Sequence, residues 1–183
     1  ATDRGMMAAY MDATGDSLTI DGMLVSGNAC ADMALVYLES GDAGNTINVR
    51  HFTGADNTVD SVDGVLATHS TGMTVVEYCS ITHNTAGPPI RANWPPDTLR
   101  YCTFYGNLAD SWDDTFIYCD TTAILQVDPE YATTSLDSTR AYMALSGAGA
   151  GPNFPRYTAD GGYMGWLEPT KLPAPTLVSP ANG

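Results

Sequence analysis

One short phrase occurs four times in this chain, and the repetition constrains its fold more than any other feature. Each copy is a run of apolar, β-branched and aromatic residues that closes at an asparagine. The closing residues are Asn28, Asn57, Asn84 and Asn107, which lie 29, 27 and 23 residues apart. Repeats of this length are typical of stacked architectures, in which each repeat buries its apolar face against its neighbours.

Short strands are expected within every repeat. A second apolar run follows each asparagine, and Gly, Asn, Ser and Pro separate the runs. Runs of four to six residues bounded in this way predict strands. No segment keeps a helical period over ten residues or more. The pattern predicts an all-β fold: a single-stranded right-handed parallel β-helix, which is a solenoid, with an irregular C-terminal cap.

Aligning the four phrases predicts which side chains share a position. Two columns are expected to line the core: Ile20, Val49, Val76 and Leu99 in the first, and Met23, Phe52, Cys79 and Cys102 in the second. The four closing asparagines are expected to form a structural ladder at one corner, since an asparagine amide can bond to its neighbours and to a tight turn. For Cys79 and Cys102 two interpretations stay open, a buried stack of small apolar side chains or a disulfide.

Composition excludes several classes of partner. The chain has a formal net charge of −14, and lysine and arginine together number only 7. This balance argues against nucleic acid, which requires a basic face, and against docking on an anionic membrane. No run of 18 apolar residues occurs, so no membrane insertion is expected. The chain has no CxxC pair and its three histidines are scattered, which argues against zinc.

The repeat pattern changes after Asp120. Residues 1–168 are interpreted as the repeat domain with its closing segment, and residues 169–183 as a proline-rich tail or linker. Proline there favours extended chain without packing of its own.

The repeats and three C-terminal motifs resemble the pectate-lyase-like superfamily of right-handed parallel β-helices. Residues 128–131 (Asp-Pro-Glu-Tyr) are similar to one closing motif of bacterial secreted members. Residues 142–151 loosely match a second, and residues 160–168, from Asp160 to Glu168, resemble an Asp-x-Gly-x-x-Glu closure. The resemblance implies an extracellular or cell-surface protein, with a virion component as the alternative. The repeats begin almost at once, which leaves two interpretations of the edge of the first repeat: either upstream coils are missing from this sequence, or self or other subunits cover that edge.

Catalytic residues are not evident from the pattern. The resemblance implies that a lyase would need a basic residue beside calcium, but Asp21, Arg50, Glu77 and Arg100 alternate in sign, which favours cross-strand pairing. A hydrolase would need paired carboxylates. The one dense acidic cluster is Asp110, Asp113 and Asp114. It is interpreted as a solvated loop, with a calcium site and a catalytic site as alternatives.

Aromatic residues near the turns suggest a binding surface. The candidates for carbohydrate binding are Tyr78, Tyr101, Trp94 and Trp112. Exposed rings can form a platform for sugars, whereas rings packed under loops cannot. We therefore expect a non-catalytic extracellular scaffold that is structural or contacts glycans and is part of a larger assembly. The alternatives are a polysaccharide lyase or glycoside hydrolase, and a phage spike or capsid-decoration protein.

Overall fold

The computed structural model describes residues 7–60, 63–85, 87–93, 97–107, 118–119, 124–125, 128–129, 131, 134–138 and 165. Within these residues the secondary structure is β throughout, and no helix occurs. The strands, in chain order, are β1 (Met7–Met11), β2 (Ser17–Ser26), β3 (Ala29–Cys30), β4 (Val36–Ser40), β5 (Thr46–Ala55), β6 (Thr58–Val59), β7 (Leu66–Ser70), β8 (Met73–Glu77), β9 (Ser80–Thr82), β10 (Ile90–Asn93), β11 (Asp97–Arg100), β12 (Cys102–Tyr105), β13 (Tyr118–Cys119) and β14 (Ile124–Leu125).

All pairings between these strands are parallel, and they form three sheets in the described part of the chain. The first sheet has the order β1-β4-β7-β10. The second has eight strands in the order β13-β11-β8-β5-β9-β12-β14, with β2 paired to β5 off this path. The third contains only β3 and β6.

The prediction of one single-stranded right-handed parallel β-helix is wrong. The strands are divided among several sheets, none of the sheets described is closed, and their order does not trace a clear single solenoid. Positive φ bends the chain at His51, within β5, and at Tyr78 and Tyr101, between β8 and β9 and between β11 and β12. These strands all belong to the second sheet, so the changes of sheet fall at the other turns of each repeat. Strand β5 continues through its bend and pairs with β8 before it and with β9 after it. The all-β class is what the structure supports.

The core follows the predicted alignment of the phrases. Ile20 pairs with Val49, Val49 with Val76, and Val76 with Leu99. All four are buried, as are Phe52, Cys79 and Cys102 in the second column. Cys79 and Cys102 are free thiols, and burial raises the pKa of the Cys102 thiol well above its usual value. Both sulfurs therefore act as small apolar core atoms.

Hydrogen bonds link the four closing asparagines. The backbone N–H groups of Asn28, Asn57 and Asn84 donate to the Oδ1 of the next asparagine at 3.0, 3.0 and 3.1 Å. The Nδ2 groups donate to the same oxygens at 3.2, 2.9 and 2.8 Å. Each Oδ1 that is bonded in this way accepts a two-pronged contact from one repeat earlier. The contacts hold successive phrases in register.

Segments from the C-terminal part of the chain cover one outer surface of the second sheet. The hydroxyl of Tyr131 lies 2.7 Å from Ser80 Oγ and 2.8 Å from Thr82 Oγ1. The backbone N–H of Gly165 donates to the carbonyl of Tyr78 at 2.8 Å. Burial raises the pKa of Tyr131 above its usual range, so its proton is retained and available to these oxygens. The surface around Ser80 and Thr82 is therefore occupied by the chain itself, and Gly165 contacts the backbone of Tyr78 beside it.

The residue ranges 1–168 and 169–183 stay predictions as domain bounds, since most residues after 107 lie outside the described part of the chain. Among the residues that are described, there is no helix long and apolar enough to cross a membrane.

Candidate functional site

A row of three rings follows the bend that ends the first half of each phrase. His51, Tyr78 and Tyr101 have φ values of 50°, 58° and 53°. Gly22 occupies the equivalent place in the first repeat, with φ of 78°. Left-handed backbone costs a residue with a side chain about 1–2 kcal/mol, so three bulky residues there are unusual. A positive φ at these places turns the chain between two inward columns and leaves the ring outside the core.

The three rings are stacked on one another, and they define the aromatic row of this protein. The centroids of His51 and Tyr78 are 5.3 Å apart with planes 19° apart. Those of Tyr78 and Tyr101 are 5.4 Å apart with planes 9° apart. Tyr78 thus has a ring on each face. All three residues are partly exposed.

Charged side chains lie beside the aromatic row. Glu77 is only 3% exposed and contacts two arginines. Its Oε1 accepts from Arg100 Nη2 at 2.6 Å and Nε at 3.0 Å, and its Oε2 lies 3.6 Å from Arg50 Nε. These hydrogen bonds raise the pKa of Arg100 above its usual value. The Arg100 guanidinium also lies 5.6 Å from the centroid of the Tyr101 ring.

The pairing along this charged column differs from simple alternation. Asp21 is in register with Arg50, but its Oδ1 lies 2.6 Å from Nδ1 of His51. Asp21 is 59% exposed, whereas His51 is 17% exposed. The carboxylate therefore orients the first ring of the aromatic row. Among the described residues, this part of the surface carries two acidic groups, Asp21 and Glu77, and two basic groups, Arg50 and Arg100.

A second polar cluster lies on the first sheet, and the sequence reasoning missed it. Tyr37 Oη lies 2.9 Å from His69 Nδ1 and 3.2 Å from Glu39 Oε2. Burial, with the Glu39 carboxylate as the next cause, raises the pKa of Tyr37 to about 12. Burial also lowers the pKa of His69. At neutral pH this favours a protonated phenol beside a neutral imidazole.

An ion pair borders the second cluster. Arg91 Nη1 donates to Asp63 Oδ1 at 2.8 Å. The two charges act in opposite directions on the pKa of His69, which Asp63 raises and Arg91 lowers. The pairing register of β4 and β7 brings these residues together, because Glu39 pairs with His69 and Tyr37 is two residues before Glu39. Alternation places all three on the face opposite the buried Val36 and Leu38. Tyr37 and Glu39 lie on β4 and His69 lies on β7, whereas none of the predicted site residues came from these two strands.

The other predicted site residues lie outside the described residues. This applies to Trp94 and Trp112 as carbohydrate contacts and to Asp110, Asp113 and Asp114 as a calcium site. Within the part of the chain that is described, no group of three or more His, Cys, Asp or Glu side chains is placed to hold a metal ion. Calcium binding by the Asp110 cluster stays a prediction.

Comparison with known proteins returns no match among family models, curated proteins or solved structures. The resemblance to pectate-lyase-like proteins therefore stays a prediction.

Proposed function

We propose that this protein is a non-catalytic extracellular scaffold that contacts polysaccharide through the aromatic row. The observation that carries the proposal is the outward stack of His51, Tyr78 and Tyr101, flanked by Arg50 and Arg100. Its centroid spacings of 5.3 and 5.4 Å are similar to the length of one pyranose unit in an extended chain. An extended polysaccharide could therefore meet one ring per sugar.

Hydrogen bonding through ring edges would dominate this contact. The face of Tyr78 is covered on both sides, so stacking of a sugar on that ring is limited. The tyrosine hydroxyls can both donate and accept, as can sugar hydroxyls. Partly exposed guanidinium groups beside the row add donors. The fixed backbone contacts of the scaffold support the proposal, because rigid groups lose little conformational entropy on binding.

The test is binding of a panel of neutral and acidic polysaccharides to wild type and to Tyr101→Asn. Asparagine tolerates left-handed backbone, so this change removes the ring without adding strain. We expect at least about a tenfold loss of affinity. Tyr10→Asn is the matched control, because Tyr10 is 53% exposed on the other sheet. Equal binding by wild type and Tyr101→Asn, or no binding to any polysaccharide, would contradict the proposal.

A polysaccharide lyase is the second candidate, and the cluster of Tyr37, His69 and Glu39 favours it. A neutral imidazole can accept a proton, and a phenol bonded to it can return one. The lyase hypothesis predicts release of unsaturated sugars from acidic polysaccharides, followed by ultraviolet absorbance. Both Tyr37→Phe and His69→Phe should abolish this release. Activity that survives both substitutions would exclude this cluster as its source.

A further inference from the structure

Two tyrosines on the outer face of the first sheet present their rings at an angle to each other. Tyr10 on β1 is 53% exposed, and Tyr37 on β4 is partly exposed. Their ring centroids lie 6.1 Å apart with planes 48° apart, so these rings do not cover each other's faces as the near-parallel rings of the aromatic row do. Ala8, the partner of Tyr37 on β1, adds only a methyl group beside them. The two rings therefore form a wedge of aromatic surface on the outside of the sheet.

Glu39 places a carboxylate next to both rings. It is in register with Tyr10, and its Oε2 accepts a hydrogen bond from the hydroxyl of Tyr37 at 3.2 Å. This contact holds the carboxylate beside the wedge. Because a phenol is a neutral donor, the contact leaves the negative charge of Glu39 in place.

No arginine or lysine forms an ion pair with Glu39 in the part of the chain that the structure describes. This differs from Glu77, which contacts both Arg50 and Arg100. His69 is the partner of Glu39 on β7, but burial lowers the pKa of that imidazole, which favours its neutral form at neutral pH. An opposite charge stabilises a partly buried carboxylate, so a cation from outside the chain would be favoured here.

We propose that Tyr10, Tyr37 and Glu39 bind the ammonium group of an organic cation, and we call them the ammonium site. A cation is attracted to the face of an aromatic ring, and the carboxylate supplies the opposite charge. A bare metal ion fits less well, because no group of three His, Cys, Asp or Glu side chains among the described residues is placed to hold one. The site lies between β1 and β4, so it does not depend on what lies beyond β1. The inference rests on neither function proposed above, because it requires no polysaccharide and no proton transfer.

The experiment compares choline with the neutral alcohol in which a carbon atom replaces the choline nitrogen. Each compound is titrated into the isotope-labelled full chain at constant ionic strength, and nuclear magnetic resonance spectra are recorded. Choline should shift the ring resonances of Tyr10 and Tyr37 together until they saturate, and should bind at least about tenfold more tightly than the neutral alcohol. Equal binding of the two compounds would overturn the proposal, because the positive charge would then contribute nothing.

Glu39→Gln tests the carboxylate, since glutamine keeps the shape of the side chain and removes its charge. Asp21→Asn is the matched control, because Asp21 is also a carboxylate beside a ring, with its Oδ1 2.6 Å from His51 Nδ1. We expect Glu39→Gln to weaken choline binding at least about fivefold and Asp21→Asn to leave it unchanged. Equal weakening by both variants would indicate general attraction to an acidic chain and overturn the site.

Tyr10→Leu tests the wedge, because leucine keeps an apolar side chain at this exposed position and removes the ring. We expect this variant to bind choline more weakly while its affinity for the neutral alcohol is retained. Unchanged choline binding would overturn the assignment of the rings.

Two further probes distinguish the sources of an ammonium group. The first, n-butylammonium, has the end of a lysine side chain, and the second, glucosamine, is an amino sugar. Tighter binding of either one supports the site and assigns its ligand to that class. The absence of a saturable shift with choline, n-butylammonium and glucosamine alike would overturn the proposal.

Discussion

At the scale of single residues, charged side chains on the outer face of the second sheet form ion pairs with one another. Glu77 is nearly buried between Arg50 and Arg100, which are 46% and 44% exposed. A buried carboxylate requires such partners because its desolvation is costly. The exposed arginines can be rehydrated if the carboxylate is lost, so most of the cost should come from the missing hydrogen bonds.

We predict that Glu77→Ala lowers the free energy of unfolding by about 1–3 kcal/mol, since it removes charge-assisted hydrogen bonds to Arg100. Asp21→Asn is the control. Asp21 is mostly exposed, and its loss should cost less than about 1 kcal/mol. Urea denaturation of the two variants and of wild type measures both values. An equal loss in the two variants would refute the special position of Glu77.

The lowered pKa of His69 predicts a dependence of stability on pH. The folded protein binds a proton at His69 less readily than the unfolded chain does, so acidification favours unfolding. Stability is retained above the ordinary histidine pKa of about 6.5 and is lost as pH falls from there through the lowered pKa of the folded state. Urea midpoints between pH 7.5 and 5.5 should fall more steeply for wild type than for His69→Phe. Parallel curves would contradict the burial of His69 as the cause.

At the scale of elements, the asparagine ladder holds successive phrases at fixed register. Asn84 is 2% exposed, and its Oδ1 accepts from Asn57 while its Nδ2 donates to Gly54 and Thr82 carbonyls. Removing it leaves buried donors and acceptors without partners. Asn28 is the first asparagine of the ladder, and its Oδ1 accepts no contact from the described residues.

We predict that Asn84→Ala costs about 2–4 kcal/mol of unfolding free energy, because several buried polar groups lose their partners at once. Asn28→Ala should cost about 1 kcal/mol. Thermal and urea unfolding of both variants provides the comparison. A larger effect at Asn28 than at Asn84 would show that the ladder is not strongest inside the stack.

Part of this arrangement was predictable from the sequence. The spacing of the phrases placed Ile20, Val49, Val76 and Leu99 in one column, and these residues are buried in register. The division into three sheets was not predictable, because the apolar spacing does not show at which turns the chain passes from one sheet to another. Tyrosine is not a signal for a positive φ, so neither the left-handed backbone at Tyr78 and Tyr101 nor the direction of their rings was predictable.

At the scale of the whole molecule, the surfaces differ in how far the chain itself covers them. The surface around Ser80 and Thr82 is covered by Tyr131, so it cannot take a ligand without displacement of that ring. The residues of the aromatic row are partly exposed beside Arg50 and Arg100. The cluster of Tyr37, Glu39 and His69 lies on the other sheet, so binding at one site can be distinguished from binding at the other.

A Tyr131→Phe substitution tests how firmly the covering segment is attached. The phenol donates its proton to Ser80 or Thr82 and accepts from the other, and its loss should cost about 1–3 kcal/mol because two buried hydroxyls lose a partner. Hydrogen exchange of β9 should quicken, while that of β4 should not change. If the substitution leaves the exchange rates of β9 as unchanged as those of β4, Tyr131 does not hold the segment in place.

The central claim is that polysaccharide binds at the aromatic row. The most direct measurement is a nuclear magnetic resonance titration of isotope-labelled protein with the polysaccharide that binds best in the panel. Resonances of His51, Tyr78, Tyr101 and the side chains of Arg50 and Arg100 should shift together and saturate, while those of Tyr10, Tyr37 and His69 stay unchanged. Shifts centred on Tyr37 and His69, with the aromatic row unaffected, would contradict the account.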